Sequence, residues 1–201
     1  MKKLLSSIAI LNLIFCFSFR TGDPLPIGSD MPLQELSMQN ISGKNISLKE
    51  AAMENGLLVI FSCNTCPFVI KNKQRMSELT KEAQRMKFGM IVVNSNEAYR
   101  DQEDSFEEMQ SFAKANKLDC HYVVDKNSQV ADAFGAKRTP ECFLFDKNLK
   151  LVYHGAIDDN ANDATAVTRH HLREAMSETA EGKEVSVKET KSIGCGIKRK
   201  A

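Results

Sequence analysis

Five consecutive apolar residues, Leu57-Leu58-Val59-Ile60-Phe61, lie between Gly56 and Ser62 and constrain the fold more than any other stretch of the chain. The run is too short for a helix, and it has no polar alternation that would let one face meet water. It reads as a central strand covered on both sides, which implies a sheet sandwiched between helices. The run leads directly into Cys63-Asn64-Thr65-Cys66-Pro67. Two thiols separated by two residues, where a buried strand gives way to a helix, suit disulfide exchange. Unpaired N–H groups and the positive end of the helix favour a thiolate there. The spacing places Cys63 at the exposed helix start as the favoured thiolate, with Cys66 one turn inward.

The flanking pattern extends this unit. From Cys66 to Lys87, apolar residues recur at Val69, Met76, Leu79, Ala83 and Met86, so an amphipathic helix is expected. Met90-Ile91-Val92-Val93-Asn94 reads as a second buried strand and Asp104 to Lys117 as a second helix. A strand, helix, strand, helix order predicts parallel pairing. A short strand at 121–124 follows, then a helix from Gln129 to Phe134 that stops at Gly135. Thr139-Pro140 introduces two further strands, Cys142 to Phe145 and Leu149 to Ile157, joined by a turn at Asp146-Lys147-Asn148. Asp163 is expected to cap a last helix running to Gly182. Upstream, short alternating stretches at 33–36 and 46–48, broken at Ser42-Gly43-Lys44, read as an N-terminal β-hairpin extension.

At 201 residues the chain has room for one domain with a substantial core. Residues 1–20 read as a signal peptide, because Met1-Lys2-Lys3 precedes an apolar stretch from Leu4 to Phe19. That stretch falls short of the roughly 20 residues that a spanning helix needs. Export, to a periplasm-like compartment, is the expectation. No small-x-small cleavage site precedes Arg20, so an uncleaved membrane anchor stays open, and a lipid anchor at Cys16 is a weaker alternative. The domain itself is placed at 21–187, and 188–201 forms a basic, cysteine-containing tail. Without residues 1–20 the chain carries 24 basic against 26 acidic residues, which argues against a nucleic-acid surface. The tail, with Lys188, Lys191, Lys198, Arg199 and Lys200 against Glu189, reads as a solvated, frayed terminus.

These residues together carry a family likeness. An exported βαβ half with CxxC at the strand-to-helix turn, then Thr139-Pro140 before a hairpin and a closing helix, resembles the thioredoxin fold: a central mixed β-sheet flanked by helices. The likeness covers about residues 28–182. The leading hairpin and the run from Thr139 to Asp146 are more closely similar to redoxins of the alkyl hydroperoxide reductase and thiol-specific antioxidant type. Cys63 to Val69, Asn94-Ser95-Asn96, Gly155 to Asp159 and Ser192 to Lys198 resemble a peroxiredoxin-like subfamily with a CxxCPF motif. The resemblance implies Cys63 as the attacking thiolate, Cys66 as the resolving thiol and Pro140 as a cis-proline facing them. Thr139 would then offer backbone hydrogen bonds to a substrate chain.

Two departures qualify it. The tryptophan that precedes the first cysteine in thioredoxins is Ser62 here, and the position of their buried acid falls at Leu57. The Pro-x-x-x-Thr/Ser-x-x-Cys setting of peroxiredoxins is also missing, since counting back from Cys63 gives Ile60 and Gly56 and from Cys66 gives Cys63 and Val59.

The sequence therefore reads as a thiol–disulfide oxidoreductase that needs no bound cofactor. Its partners would be protein or small-molecule disulfides and dithiols, with an upstream thiol reductant or oxidant. A thiol-dependent peroxidase, passing through a sulfenic acid on Cys63, is the nearest alternative. A carrier of a soft ion such as Cu(I) is a third, although no second CxxC or His-x3-His supplies further metal ligands. Thr65 could donate its hydroxyl to the Cys63 sulfur, and Pro67 fixes the helix start by giving up an N–H that has no helical partner. Cys120 and Cys142 read as inert core thiols. Cys195 lies in the tail, and it could serve as a third redox thiol if that tail folds back over the domain.

Overall fold

The computed structural model describes residues 22–200. The signal-peptide reading of residues 1–20 and the alternatives at Cys16 lie outside the described residues. The strands are β1 (Met38–Asn40), β2 (Asn45–Ile46), β3 (Gly56–Ser62), β4 (Phe88–Asn94), β5 (His121–Val124), β6 (Arg138–Thr139), β7 (Glu141–Phe145), β8 (Leu151–Gly155) and β9 (Cys195–Gly196). The helices are α1 (Leu48–Ala51), α2 (Pro67–Arg85), α3 (Phe106–Ala115), α4 (Gln129–Phe134) and α5 (His171–Ala180). Seven strands form one sheet in the order β2-β1-β5-β4-β3-β7-β8. The pairs β3–β4 and β4–β5 are parallel, whereas β7 runs antiparallel to β3 and β8 antiparallel to β7. This is the mixed α/β sheet that the sequence pattern implies.

β3 is central and every residue of it is buried. Alternate side chains serve opposite layers. Leu58 and Ile60 pack with Val69, Met76 and Leu79 of α2 and with Leu172 and Met176 of α5. Leu57, Val59 and Phe61 face the other way, onto Leu48 of α1 and Val130 and Phe134 of α4. Phe134 meets Phe61 and Phe143 edge-on at centroid distances of 5.4 and 5.3 Å, an arrangement worth about 0.5–1.5 kcal/mol per pair beyond area burial. α4 ends at Gly135, whose φ of +63° and close approach to the Asp23 carbonyl leave no room for a Cβ.

Three expectations need correction. The N-terminal hairpin exists, but its strands are Met38–Asn40 and Asn45–Ile46, while Leu48 opens a helix. Ser47 caps that helix through a reciprocal box: its hydroxyl accepts the Glu50 N–H at 3.2 Å, and its own N–H donates to Glu50 at 2.8 Å. Asp163 caps only a 3-10 turn over Ala164–Ala166, and α5 begins at His171. Asp159 accepts both the N–H and the hydroxyl of Thr168, which holds the intervening residues out of helical register.

The third correction concerns the tail, which is docked rather than frayed. His154 N–H donates to Lys188 O at 2.9 Å and Thr190 N–H to His154 O at 3.0 Å, so the chain follows the edge of β8. Farther on, Ile197 N–H donates to Lys137 O at 3.0 Å and Arg199 Nε meets Asp132 at 2.7 Å. β9 pairs antiparallel with β6, with Thr139 opposite Cys195.

Candidate active site

The apolar run of β3 delivers the chain to the sheet's end, and Pro67 then starts α2 as its first residue. Cys66 is therefore the N-cap, and Cys63 lies outside the helix. Neither sulfur is open to solvent: Cys63 is 2% and Cys66 4% exposed. The expected exposed Cys63 at the helix start is corrected by this placement. Both cysteines are free thiols here.

Across from them, the Thr139–Pro140 peptide bond is cis. The Thr139 hydroxyl lies 3.3 Å from the Cys63 sulfur, and the Cys66 thiol donates to the Thr139 carbonyl at 3.2 Å. One residue thus touches both thiols. Thr65, by contrast, is exposed and makes no described hydrogen bond to Cys63, so the hydroxyl beside that sulfur is Thr139's.

The first proton leaves this dithiol easily. The Cys66 thiol is lowered to about 4, mainly because the Cys63 S–H bonds to it. Burial opposes this, while the Cys195 thiol and the N–H groups of Val69 and Cys195 assist. Cys63 is pushed up, first by its bond to Cys66, then by burial, against the help of the Thr139 hydroxyl; the nearby Asp104 charge raises it further. The two sulfurs share one proton, and the N–H groups of Val69 and Cys195 favour charge on the N-capping Cys66.

Asp104 was not readable as a site residue. It is fully buried and accepts from Asn64 N–H at 2.9 Å, Asn94 Nδ2 at 2.7 Å and Asn96 Nδ2 at 2.8 Å. Tyr122 closes the network by donating to Asn64 Oδ1 at 2.9 Å, and burial holds its phenol well above the ordinary value. The loop before α3 thus brings a buried acid near enough for its charge to act on Cys63, while position 57 has none. No periodic or motif signal marks Asp104, because only the tertiary fold carries that loop to the Cys63–Cys66 turn.

Glu141 braces the other side. Its Oε2 accepts the N–H groups of Lys137 and Arg138 at 2.7 and 2.9 Å, and its Oε1 meets His154 Nε2 at 2.8 Å. Burial alone would raise its pKa, yet the bonds from His154 and the two N–H groups outweigh burial and lower it. A carboxyl lowered on folding stabilises the fold above its unfolded value of about 4.3 and loses that contribution as pH falls through the folded value. Glu141→Gln should therefore lose stability at pH 7 but converge with the wild type in acid, measured by urea unfolding at pH 7 and pH 3. A difference that is constant across that range would exclude the linkage.

Cys142 is fully buried and its thiol is pushed far up by burial, while Cys120 is pushed up to about 12 by burial and Asp119. Both remain protonated, and Cys120 is only partly buried. Cys195, opposite Thr139, is half-buried beside Cys66. Asp158 is paired with Arg75, and Arg138 donates to Gly194 O at 3.0 Å, so each holds structure in place. Among the described residues, no group of three or more His, Cys, Asp or Glu side chains is arranged to hold a metal ion.

The family described as AhpC/TSA matches residues 27–154. An uncharacterized conserved protein from Geobacillus kaustophilus is 32% identical, with a TM-score of 0.81 over 87% of this chain and 93% of that one. A hypothetical protein from Sinorhizobium meliloti 1021 is 30% identical, again with a TM-score of 0.81, over 90% of this chain and 98% of that one. A secreted Mycobacterium tuberculosis disulfide oxidoreductase, homologous to DsbE of E. coli, shares the fold at 14% identity and a TM-score of 0.55, over 77% and 99%. No curated protein matches the chain.

Proposed function

The chain belongs to the AhpC/TSA family of redoxins, and from that premise we propose that it is an exported thiol–disulfide oxidoreductase working through Cys63 and Cys66. One observation carries the reading: a free thiol caps a helix, a second lies in the turn before it, and Thr139 of the cis-proline loop contacts both. The bond from the Cys63 thiol and the Val69 N–H favour a thiolate on Cys66 within this pair.

In the cycle, the proton shared by the two sulfurs passes to Cys66, and the Cys63 thiolate attacks one sulfur of a substrate disulfide. The other substrate sulfur leaves as a thiolate. The more basic Cys63 is the stronger nucleophile of the two once charged. Cys66 then gives up the proton and attacks the Cys63 sulfur, expelling the second substrate thiolate. The one proton that the resting pair holds and one from solvent end on the two substrate sulfurs, and the Cys63–Cys66 disulfide remains. An upstream thiol returns it to the dithiol state.

Export rests on residues 1–20, where a basic start precedes an apolar stretch. No helix among the described residues is long and apolar enough to cross a membrane.

The test sets a disulfide-bonded protein such as insulin against hydrogen peroxide, each mixed with the reduced chain. Exchange much faster than that of free glutathione, with a Cys63–Cys66 disulfide found by peptide mass mapping, is expected. Peroxide consumed far faster than by free thiol, with sulfenic acid on Cys63 and no exchange, would make the chain a peroxidase instead.

A further inference from the structure

Three sulfurs, not two, meet at the start of α2. The Val69 N–H favours charge on Cys66 and the Phe68 N–H favours it on Cys195, so both sulfurs draw on the same helix end. Thr139, whose hydroxyl lies 3.3 Å from the Cys63 sulfur and whose carbonyl accepts from Cys66 at 3.2 Å, is the strand partner of Cys195.

The tail is built to keep Cys195 there. Gly194 comes so close to the cis-proline loop that a Cβ on it would lie 2.2 Å from the Thr139 carbonyl. β9 pairs with β6 at Arg138 and Thr139, and Arg138, Lys137 and Asn96 all bond to tail backbone. The tail therefore occupies the backbone edge beside the dithiol as an added strand. Cys195 presents the more accessible of the three sulfurs, half-buried where the other two are covered.

We propose that Cys195 is the thiol through which the oxidised Cys63–Cys66 pair is re-reduced, with β9 holding it against Cys66 as an internal partner strand. The inference rests on the oxidoreductase reading above. The Cys195 thiolate attacks the Cys66 sulfur, so that a Cys66–Cys195 bond forms, the Cys63–Cys66 bond breaks and Cys63 leaves as a thiolate beside the Thr139 hydroxyl. One thiolate of an external dithiol, protein or small molecule, then attacks the Cys195 sulfur and expels Cys66. The second thiol of that dithiol attacks its own first sulfur and expels Cys195. The dithiol ends as a disulfide, and its two electrons and two protons return to Cys63 and Cys66.

The redox state itself gates the step. Burial and the adjoining Cys66 thiolate push Cys195 up to about 11 in the reduced protein. Once Cys66 is held in a disulfide, its charge no longer opposes a thiolate on Cys195.

Two measurements on the full chain test this. Cys63→Ser, oxidised with glutathione disulfide, quenched in acid and mapped by mass spectrometry, should carry a Cys66–Cys195 disulfide in most molecules. Its absence would overturn the proposal. Separately, the oxidised wild type and Cys195→Ser are mixed with dithiothreitol and the loss of the Cys63–Cys66 disulfide is followed. Loss of the tethered attack should slow Cys195→Ser at least about tenfold. Equal rates would overturn the relay and leave the oxidoreductase intact, whereas a wild type that never forms the Cys63–Cys66 disulfide with a protein disulfide would end both.

Discussion

Replacing Cys66 with serine is expected to cut disulfide-exchange turnover at least about a hundredfold, ~2.7 kcal/mol of transition-state stabilisation, while leaving a partner covalently held on Cys63. The attacking sulfur survives the change. Its largest opposing influence, the bond to the Cys66 sulfur, is removed, so Cys63 ionises more readily in the variant than in the wild type. Attack on a substrate disulfide therefore proceeds. Resolution does not, because a serine hydroxyl at the N-cap has no accessible anion at neutral pH. Cys195 is not expected to replace it, since β9 holds that thiol against position 66. The chain is expressed with Cys66→Ser in its own host, recovered under non-reducing conditions, and what is bound to Cys63 is identified by mass spectrometry. A trap that is empty, with Cys63 carrying sulfenic acid, would contradict disulfide exchange.

What the sequence makes legible is what local pattern encodes. β3, β4, β5 and α4 stand within a residue or two of where the apolar runs and Gly135 place them, because burial on both faces leaves a continuous signal. The helix after the CxxC is legible for the same reason, and its start at Pro67 decides which thiol becomes the cap. α1 carried a readable sign, the Ser47-x-x-Glu50 box, but the apolar residues around it also fit a strand. The late start of α5 had none, since Asp159 captures Thr168 across nine residues of loop. Asp104 and the docked tail are the features most remote from local pattern. Each owes its place to contacts across the fold: Asp104 to three asparagines, and Gly194 to the Thr139 carbonyl. A basic, aperiodic tail reads as solvated by composition, and its partners, the edges of β6 and β8 with Asn96 and Asp132, come from distant parts of the chain.

The largest stability effect is expected at Asp158, far from the thiols along α2. Its carboxylate meets Arg75 Nη1 at 2.6 Å, with side chains 2% and 9% exposed, and the same guanidinium donates to Asn160 O at 2.8 Å. Arg75 lies within α2, and Asp158 and Asn160 lie in the loop after β8, so this cluster fastens the helix to the loop that follows the sheet's edge strand. Asp158→Ala leaves the guanidinium buried without its counter-charge, which costs roughly 3–5 kcal/mol. For a domain of this size that lowers the melting temperature by roughly 6–20 °C. A buried ion pair, however, gains little over apolar contacts of the same volume, because both charges must first leave water. Arg75→Met combined with Asp158→Leu should therefore recover most of the loss, and the difference between single and double variants isolates the unpaired charge from the packing. Urea unfolding measures all three. A single-variant loss below about 1 kcal/mol, the range of an exposed pair, would mean that water reaches Arg75 and that the pair does not anchor α2.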